Sequence, residues 1–286
     1  MPYFLIMNPG SKGGQSKKRF ELIFKLLNEN NIKYDFEYTK CLDDAYRLSR
    51  KANQNGYDVI VAVGGDGTIN RVIKGFYDQN GKRLSKAKLG IIYTGTSPDF
   101  CKSYHIPLDT KRAIKAVVSG KSKEIGIGRI ESGGKARFFA CCANIGLGAM
   151  LANNANNGIR KILGDFFGTF ISLIKTLINY KPIDVCMNGK EYKKVYNISV
   201  GKTFYVASGI KIKNELRLDD DRFYILTIQN NIFDFMWRMY SGKPLHLEYA
   251  KEINISGIGK LEFDGDEGGE LPCLITSVER LEVFCE

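Results

Sequence analysis

Val59-Ile60-Val61-Ala62-Val63-Gly64-Gly65-Asp66-Gly67-Thr68-Ile69-Asn70 decides the reading of this chain: five apolar residues in succession run into a glycine turn that carries a single carboxylate. An unbroken apolar run of this kind suits a central strand of a parallel sheet, covered on both faces. Gly64, Gly65 and Gly67 permit positive φ and let backbone N–H groups approach a ligand without side chains in the way. A helix beginning near Asn70 adds the positive end of its dipole, which makes the turn a seat for a nucleotide phosphate. Glycine at a strand-to-helix turn also has a purely steric explanation. Asp66 is harder to explain that way, because beside phosphates a carboxylate is repelled unless it binds a cation or takes up a proton.

Working outward from that turn, alternation continues on both sides. Tyr3 to Met7 reads as a first strand, and Asn8-Pro9-Gly10-Ser11-Lys12-Gly13-Gly14 leads from it into an amphipathic helix near Lys17 to Asn30, with Phe20, Ile23, Phe24 and Leu27 at helical spacing. A strand near Lys33 to Tyr38, a helix near Leu42 to Gln54, the strand Asp58 to Val63 and a helix near Ile69 to Phe76 follow. Lys88 to Tyr93 is a further apolar strand, running into Thr94-Gly95-Thr96-Ser97-Pro98-Asp99-Phe100, and Thr110 to Ser119 is a helix. This βαβα order is that of a parallel sheet. The loops after Met7, Val63 and Tyr93 then share the carboxyl edge of the sheet, where open α/β folds bind ligands, so the glycine turns are expected to converge.

Beyond about Gly120 the pattern changes. Lys123 to Ile130, Ala136 to Asn144, Ile183 to Met187, Tyr192 to Ser199, Phe223 to Gln229, Glu252 to Gly257 and Leu261 to Phe263 resemble strands, with helices at Ile159 to Tyr180 and Asn231 to Tyr240. The expected architecture is an α/β nucleotide-binding domain over residues 1–122 and a mostly β domain, an antiparallel sandwich, over 123–286. The extreme carboxyl terminus is free to pack back on the first domain.

With 286 residues and 44% hydrophobic content the chain supports a substantial core. A formal charge of +11, from 42 Lys and Arg against 31 Asp and Glu, favours anionic partners. The basic residues are dispersed and form no stripe with interleaved aromatics, which argues against nucleic acid. Seven cysteines without a CxxC pair, beside two histidines, exclude a zinc site or a disulfide framework as the expectation. The amino terminus lacks a basic lead and reads as a strand, so a cytoplasmic location is expected. No apolar run reaches the roughly 18 residues that span a bilayer. Phe166 to Ile178 comes nearest, and its Gly and Lys interruptions limit any membrane contact to a peripheral one.

The glycine loop after Met7 lacks the GxxxxGK[ST] spacing of a Walker loop, and neither a GxGxxG dinucleotide loop nor protein-kinase motifs occur. Two acidic clusters lie in the second half: Asp219-Asp220-Asp221, and Asp264-Gly265-Asp266-Glu267. Solvated turns account for such clusters, and so does a hard cation held by oxygen ligands; one carboxylate can also accept a hydroxyl proton.

Asn8-Pro9-Gly10, Gly64 to Asn70, Gly95 to Phe100, Leu218-Asp219-Asp220 and Phe263 to Asp266 occur in the order seen in the diacylglycerol kinase catalytic family, which includes bacterial lipid kinases and sphingosine kinases. The chain resembles that family over nearly its whole length. The GGDGTxN element is shared in part with NAD kinases and phosphofructokinases; the later motifs narrow the resemblance to lipid kinases. It implies a Rossmann-like, NAD kinase-like first domain, with ATP bound between it and the β domain, and transfer of the γ-phosphoryl group to a diacylglycerol-like or long-chain lipid alcohol at a membrane surface. By resemblance, Asn8, Pro9, Gly10, Ser11, Lys12, Thr39, Gly65, Asp66, Gly67, Thr68, Ile69, Asn70, Arg71 and Thr96 are nucleotide positions. Asp220 resembles a Mg²⁺ position, with Arg217 and Arg222 as carbonyl ligands. Asp264, or Asp266 beside it, resembles the base that activates the lipid hydroxyl, and Asp66 the holder of the catalytic metal. A homodimer is allowed and not demanded.

Four positions depart from the family pattern. Pro98 stands in place of Asn in G-T-x-N-D-F, Arg71 where Glu is common, Gly126 where an Asp begins a D-x-G pattern, and Asp266 where DGE ends in Glu. The rival readings are a soluble-substrate kinase of the NAD kinase type and a catalytically impaired nucleotide-binding protein.

Overall fold

In the computed structural model, which describes residues 2–41, 43–156, 180–206, 210–241 and 243–286, the run around Val59 lies in the middle of a six-stranded sheet. Its order is Tyr34–Tyr38 (β2), Tyr3–Met7 (β1), Val59–Gly64 (β3), Lys88–Tyr93 (β4), Leu281–Phe284 (β19) and Ser122–Ile125 (β5), parallel except for β5. Alternate side chains of β3 serve different cores. Ile60 and Ala62 pack with Ala52, Val72 and Ile73, whereas Val59, Val61 and Val63 pack with Ile23, Leu27 and Val117. Helices Phe20–Glu29 (α1) and Thr110–Ser119 (α5) therefore cover one face, and Asp44–Gln54 (α2) and Asp66–Lys74 (α3) the other. Each fully buried Val or Ile stabilises the sheet by about 1.5–3 kcal/mol, which is why this strand tolerates no polar residue.

The helix ends differ in a way that matters at the site. Asp109 caps α5, accepting a hydrogen bond from Arg112 N at 3.0 Å, and Gly120 ends it in the left-handed region at φ 77°. Gly65 at the start of α3 supplies no side-chain cap, so the first-turn amides of α3 have no side-chain acceptor at the cap position. Between β1 and α1, Ser11–Arg19 winds as a 3-10 segment interrupted by left-handed Lys12, Gly13 and Gly14, so α1 begins later than the apolar spacing predicted.

Antiparallel strands dominate the second domain. Among the described residues, eleven strands form one hydrogen-bonded network: Gly128–Ser132 (β6), Lys135–Phe139 (β7), Cys142–Gly146 (β8), Ile183–Met187 (β9), Lys190–Gly201 (β10), Phe223–Gln229 (β13), Glu248–Ala250 (β14), Glu252–Gly257 (β15), Lys260–Phe263 (β16), Asp266–Glu270 (β17) and Cys273–Ser277 (β18). Tyr205–Val206 (β11) and Ile210–Lys211 (β12) form a separate pair. Ile130, Ile145, Val185, Ile198, Phe223, Ile253 and Ile275, drawn from strands across the network, share one apolar cluster, so the sheet curves around a common core. The fold is thus an α/β parallel-sheet domain followed by an antiparallel β domain.

Two expected strands are each broken in two. Lys123 to Ile130 divides at Gly126 and Ile127: β5 joins the first sheet and β6 the second. Ala136 to Asn144 divides at Ala140 and Cys141 into β7 and β8. Gly126 and Gly128 flank the first break but Ile125, Ile127 and Ile130 carry the apolar pattern past them, and the second break lies inside the continuous apolar run Phe138 to Ala143 with no glycine or proline. A short helix, Asp99–Ser103 (α4), lies where a loop was expected, and the predicted helix Ile159 to Tyr180 falls, but for Tyr180, outside the described residues. Helix Leu147–Asn156 (α6) follows β8, and a last helix spans Ile232–Ser241. Among the described residues, no helix is long and apolar enough to cross a membrane.

Candidate functional site

The turns after β1, β3 and β4 do converge. Asn8 Nδ2 donates to Thr68 Oγ1 at 2.8 Å while Gly10 N donates to Asn8 Oδ1 at 2.9 Å, so both ends of the Asn8 amide are used to fix the first turn against α3. Because Thr68 Oγ1 accepts from Asn8, its own hydrogen is left to donate. Ser11 Oγ reaches Thr94 O at 3.2 Å and ties the first turn to the third.

The glycines earn their place by proximity. None of Gly64, Gly65 and Gly67 uses the positive φ that glycine permits. A Cβ on Gly95 would lie 2.5 Å from Gly65 Cα, and one on Gly64 would lie 2.4 Å from Thr68 Oγ1. Two strand-end turns pressed backbone to backbone leave no room for side chains there.

The helix after β3 starts at Asp66, four residues before the predicted start, so Asp66 belongs to its first turn. Asp66 Oδ2 accepts from Asp99 N at 3.1 Å, whereas Oδ1 is buried and has no hydrogen-bond partner among the described residues. Burial, and then the neighbouring Asp99 carboxylate, raise the Asp66 carboxyl to about 7; the amides of Phe100 and Asp99 oppose the shift and Asp264 adds to it. A buried carboxylate oxygen without a donor is a vacancy for a cation or a proton. Among the described residues no three carboxylate, imidazole or thiolate side chains gather into a ready-made metal cluster.

Asp264 approaches the same cleft from the β domain. Asn70 Nδ2, one helical turn past Asp66, donates to Asp264 O at 3.4 Å. The Asp264 carboxylate accepts from Ala140 N at 2.8 Å and from Cys141 N and Cys142 N at 3.0 Å each. These are the amides released by the break between β7 and β8. Burial raises the Asp264 carboxyl to about 6 even though those amides and Lys74 pull it down. Its backbone is left-handed at φ 50°, a conformation uncommon outside glycine and held here by the surrounding bonds. Behind it, Glu262 is pushed by burial to about 7 and accepts from Asn144 Nδ2 at 2.8 Å and from Gly265 N.

Asp266 has a different setting. Its oxygens accept from Arg71 NH2 and Lys74 Nζ, both at 2.7 Å, and all three side chains are mostly buried. Two departures from the family pattern, Arg71 and Asp266, therefore meet as an ion pair that joins α3 to β17.

The loop carrying Asp220 is also closed on itself. Asp220 accepts from Arg222 through its N, Nε and NH2 at 2.8, 3.0 and 2.7 Å, which holds its carboxyl down at about 2. Arg217 O accepts from Asp220 N at 3.1 Å, and the Arg217 guanidinium pairs with Asp219. The carbonyls of Asp220 and Arg222 face the ammonium of Lys202, at 2.9 and 3.1 Å. The ligand set expected for a divalent ion at Asp220 does not fit: the Arg222 carbonyl already faces an internal cation, the Arg217 carbonyl accepts from Asp220 N, and the Asp220 carboxylate is taken by Arg222.

A pocket of about 600 Å³ is lined by Asn8, Pro9, Gly10, Gly14, Lys17, Thr39, Lys40, Cys41, Ala45, Gly67, Thr68 and Arg71. Seven of the expected nucleotide positions share its wall. Of the others, Ile69 is fully buried in the core, Asn70 is turned to the Asp264 loop, Lys12 and Thr96 are exposed, and Ser11, Gly65 and Asp66 build the turn floor without lining it. Lys17 and Lys40 went unnoticed in the sequence, although both follow strand ends as an anion-binding cation should. Lys202 and the Ala140–Cys142 amides carried no sequence signal at all.

Residues 2–130 match the family model of the diacylglycerol kinase catalytic domain. A diacylglycerol kinase of Staphylococcus aureus (strain bovine RF122 / ET3-1) is 27% identical over 295 residues, covering 98% of this chain and 91% of that protein. Its counterpart from strain JH9 is 28% identical over 297 residues, with the same shares covered. A crystal structure of a diacylglycerol kinase from Bacillus anthracis str. Sterne superposes with a TM-score of 0.79 at 23% identity, over 100% of this chain and 97% of that one. At that identity the likeness speaks for the fold.

Proposed function

Because residues 2–130 match the family model of the diacylglycerol kinase catalytic domain, we propose that this chain is a lipid kinase that transfers the γ-phosphoryl group of ATP to the hydroxyl of a diacylglycerol-like or long-chain lipid alcohol. The observation that carries the reading is the apposition of Asp66, in the uncapped first turn of α3, with Asp264, linked through Asn70. Phosphate oxygens accept from the first-turn amides of α3 and from the Thr68 hydroxyl, with Lys17, Lys40 and Arg71 around the pocket balancing their charge. Asp66 would hold the Mg²⁺ that accompanies ATP, and the ion, when bound, would supply neutralisation of the charge developing on the transferring phosphoryl group. Asp264 takes the proton of the lipid hydroxyl as its oxygen bonds to the γ-phosphorus, and the bond to the β-phosphate oxygen breaks with its electron pair leaving on ADP. A carboxyl near 6 is ionised at neutral pH yet basic enough to share that proton. Asp266, held by two cations, positions the loop instead.

Lipid as the acceptor draws support from the surface. Phe233 and Trp237, one helical turn apart on Ile232–Ser241, are 75% and 57% exposed on a chain of charge +11, a pairing suited to peripheral contact with an anionic bilayer. Incubation with radiolabelled ATP, magnesium and mixed lipid vesicles tests the proposal: label is expected in a chloroform-extractable product. Label on NAD instead, or on no acceptor, would overturn it.

A further inference from the structure

Lys202 is 4% exposed, and a buried ammonium must be compensated by acceptors. Its Nζ donates to Asp220 O at 2.9 Å and to Arg222 O at 3.1 Å, and lies 4.1 Å from the centre of the Phe223 ring. Asp220 and Asp221 supply the nearby negative charge. Carbonyl oxygens beside carboxylates form the environment that a divalent ion would be offered.

Gly126 completes the arrangement from the first half of the chain. Its N donates to Leu218 O at 2.9 Å, and a Cβ there would sit 2.8 Å from Asp220 O and 3.0 Å from Lys202 Nζ. Any side chain at this position, the aspartate of the family pattern included, would press its Cβ onto the Asp220 carbonyl and crowd the place the ammonium occupies. Absence of a side chain at Gly126 and presence of a cation at Lys202 are two sides of one substitution.

We propose that Lys202 is the resident cation of the 217–222 loop: its ammonium bridges the Asp220 and Arg222 carbonyls in place of a divalent ion, Gly126 makes room for it, and the loop binds no metal. The proposal is independent of the kinase reading and is tested without turnover. Protein stripped with a chelator is titrated with Mn²⁺ in the absence of nucleotide, with free Mn²⁺ followed by electron paramagnetic resonance, and its melting temperature is recorded with and without millimolar Mg²⁺. Expected is an unchanged melting temperature and no Mn²⁺ site that Asp220→Asn removes. A tight Mn²⁺ site abolished by Asp220→Asn would overturn the proposal. Lys202→Met leaves two carbonyls unsatisfied and is expected to lower the melting temperature by about 5 °C; a variant as stable as the parent would equally overturn it. In the double variant Gly126→Asp/Lys202→Ala, the carboxylate takes the vacated space, and Mg²⁺ is expected to raise the melting temperature where it leaves the parent unmoved. Failure of Mg²⁺ to stabilise that variant would count against the exchange.

Discussion

Replacing Asp66 by Asn makes permanent the uncharged form that the fold prefers. Burial and the Asp99 carboxylate lift this carboxyl from 3.8 to about 7. The stabilisation that comes from holding the proton is complete below 3.8, drains away as pH climbs toward the folded value, and is absent above it. At about 1.4 kcal/mol per pKa unit, the ionised group costs the native state roughly 4 kcal/mol at alkaline pH. Asn keeps an oxygen for the Asp99 amide and pays none of this. Relaxation in a cleft that water partly reaches trims the gain to about 2 kcal/mol, or about 4–8 °C for a chain of this size. Thermal melts without nucleotide across the acid-to-alkaline range should therefore diverge: parent and variant melt together near pH 4, and the variant melts higher by about pH 8. In the same preparation phosphoryl transfer should fall by at least about 100-fold, since the carboxylate that holds the metal is gone. A melting difference that does not change with pH would refute the electrostatic argument, and near-normal turnover would refute the role given to Asp66.

Asp264→Asn should reduce kcat by at least about 100-fold and cost about 1–3 kcal/mol of stability, since an NH₂ replaces an oxygen that accepts from backbone amides, while kcat/KM of the parent rises with pH through an inflection near 6 as the base loses its proton. Asp266→Asn leaves Arg71 and Lys74 without their shared partner, so chemical denaturation should register a loss of about 1–3 kcal/mol while activity stays within about tenfold of the parent. A larger kinetic loss there would restore Asp266 as a candidate base. Gly95→Ala forces a Cβ to within 2.5 Å of Gly65 Cα, and separating the two turns should weaken nucleotide affinity by at least about tenfold in a calorimetric titration.

The first sheet was legible because its determinants are local: Val59 to Val63 is apolar at every position, and a strand buried on both faces has no other appearance. Residue type at the site was legible for the same reason, but its geometry was not. Gly65 and Gly95 are glycine because two turns meet, a fact held in neither turn alone. Helix α3 began early because Gly65 suffices as its start without a capping side chain. Residues 123–130 and 136–144 each read as one strand because apolar residues recur from Ile125 to Ile130 and run without interruption from Phe138 to Ala143. Tertiary demands break them, at Gly126 for the Lys202 ammonium and at Ala140–Cys142 for the Asp264 carboxylate. Arg71 with Asp266, and Gly126 with Lys202, each looked like separate departures, since only folding brings their partners together.

Strands β5 and β19 are antiparallel neighbours, with Leu281 opposite Ile125 and Phe284 opposite Ser122, and among the described residues β19 is the sole link between β5 and the rest of the first sheet. Everything from Gly126 to Arg280 therefore hangs as an insertion from two adjacent strands. During synthesis on the ribosome, β4 must wait with an apolar edge exposed until residues up to Phe284 have emerged. The domain made first is finished last, and its open edge is the place where a stalled or shortened chain would aggregate.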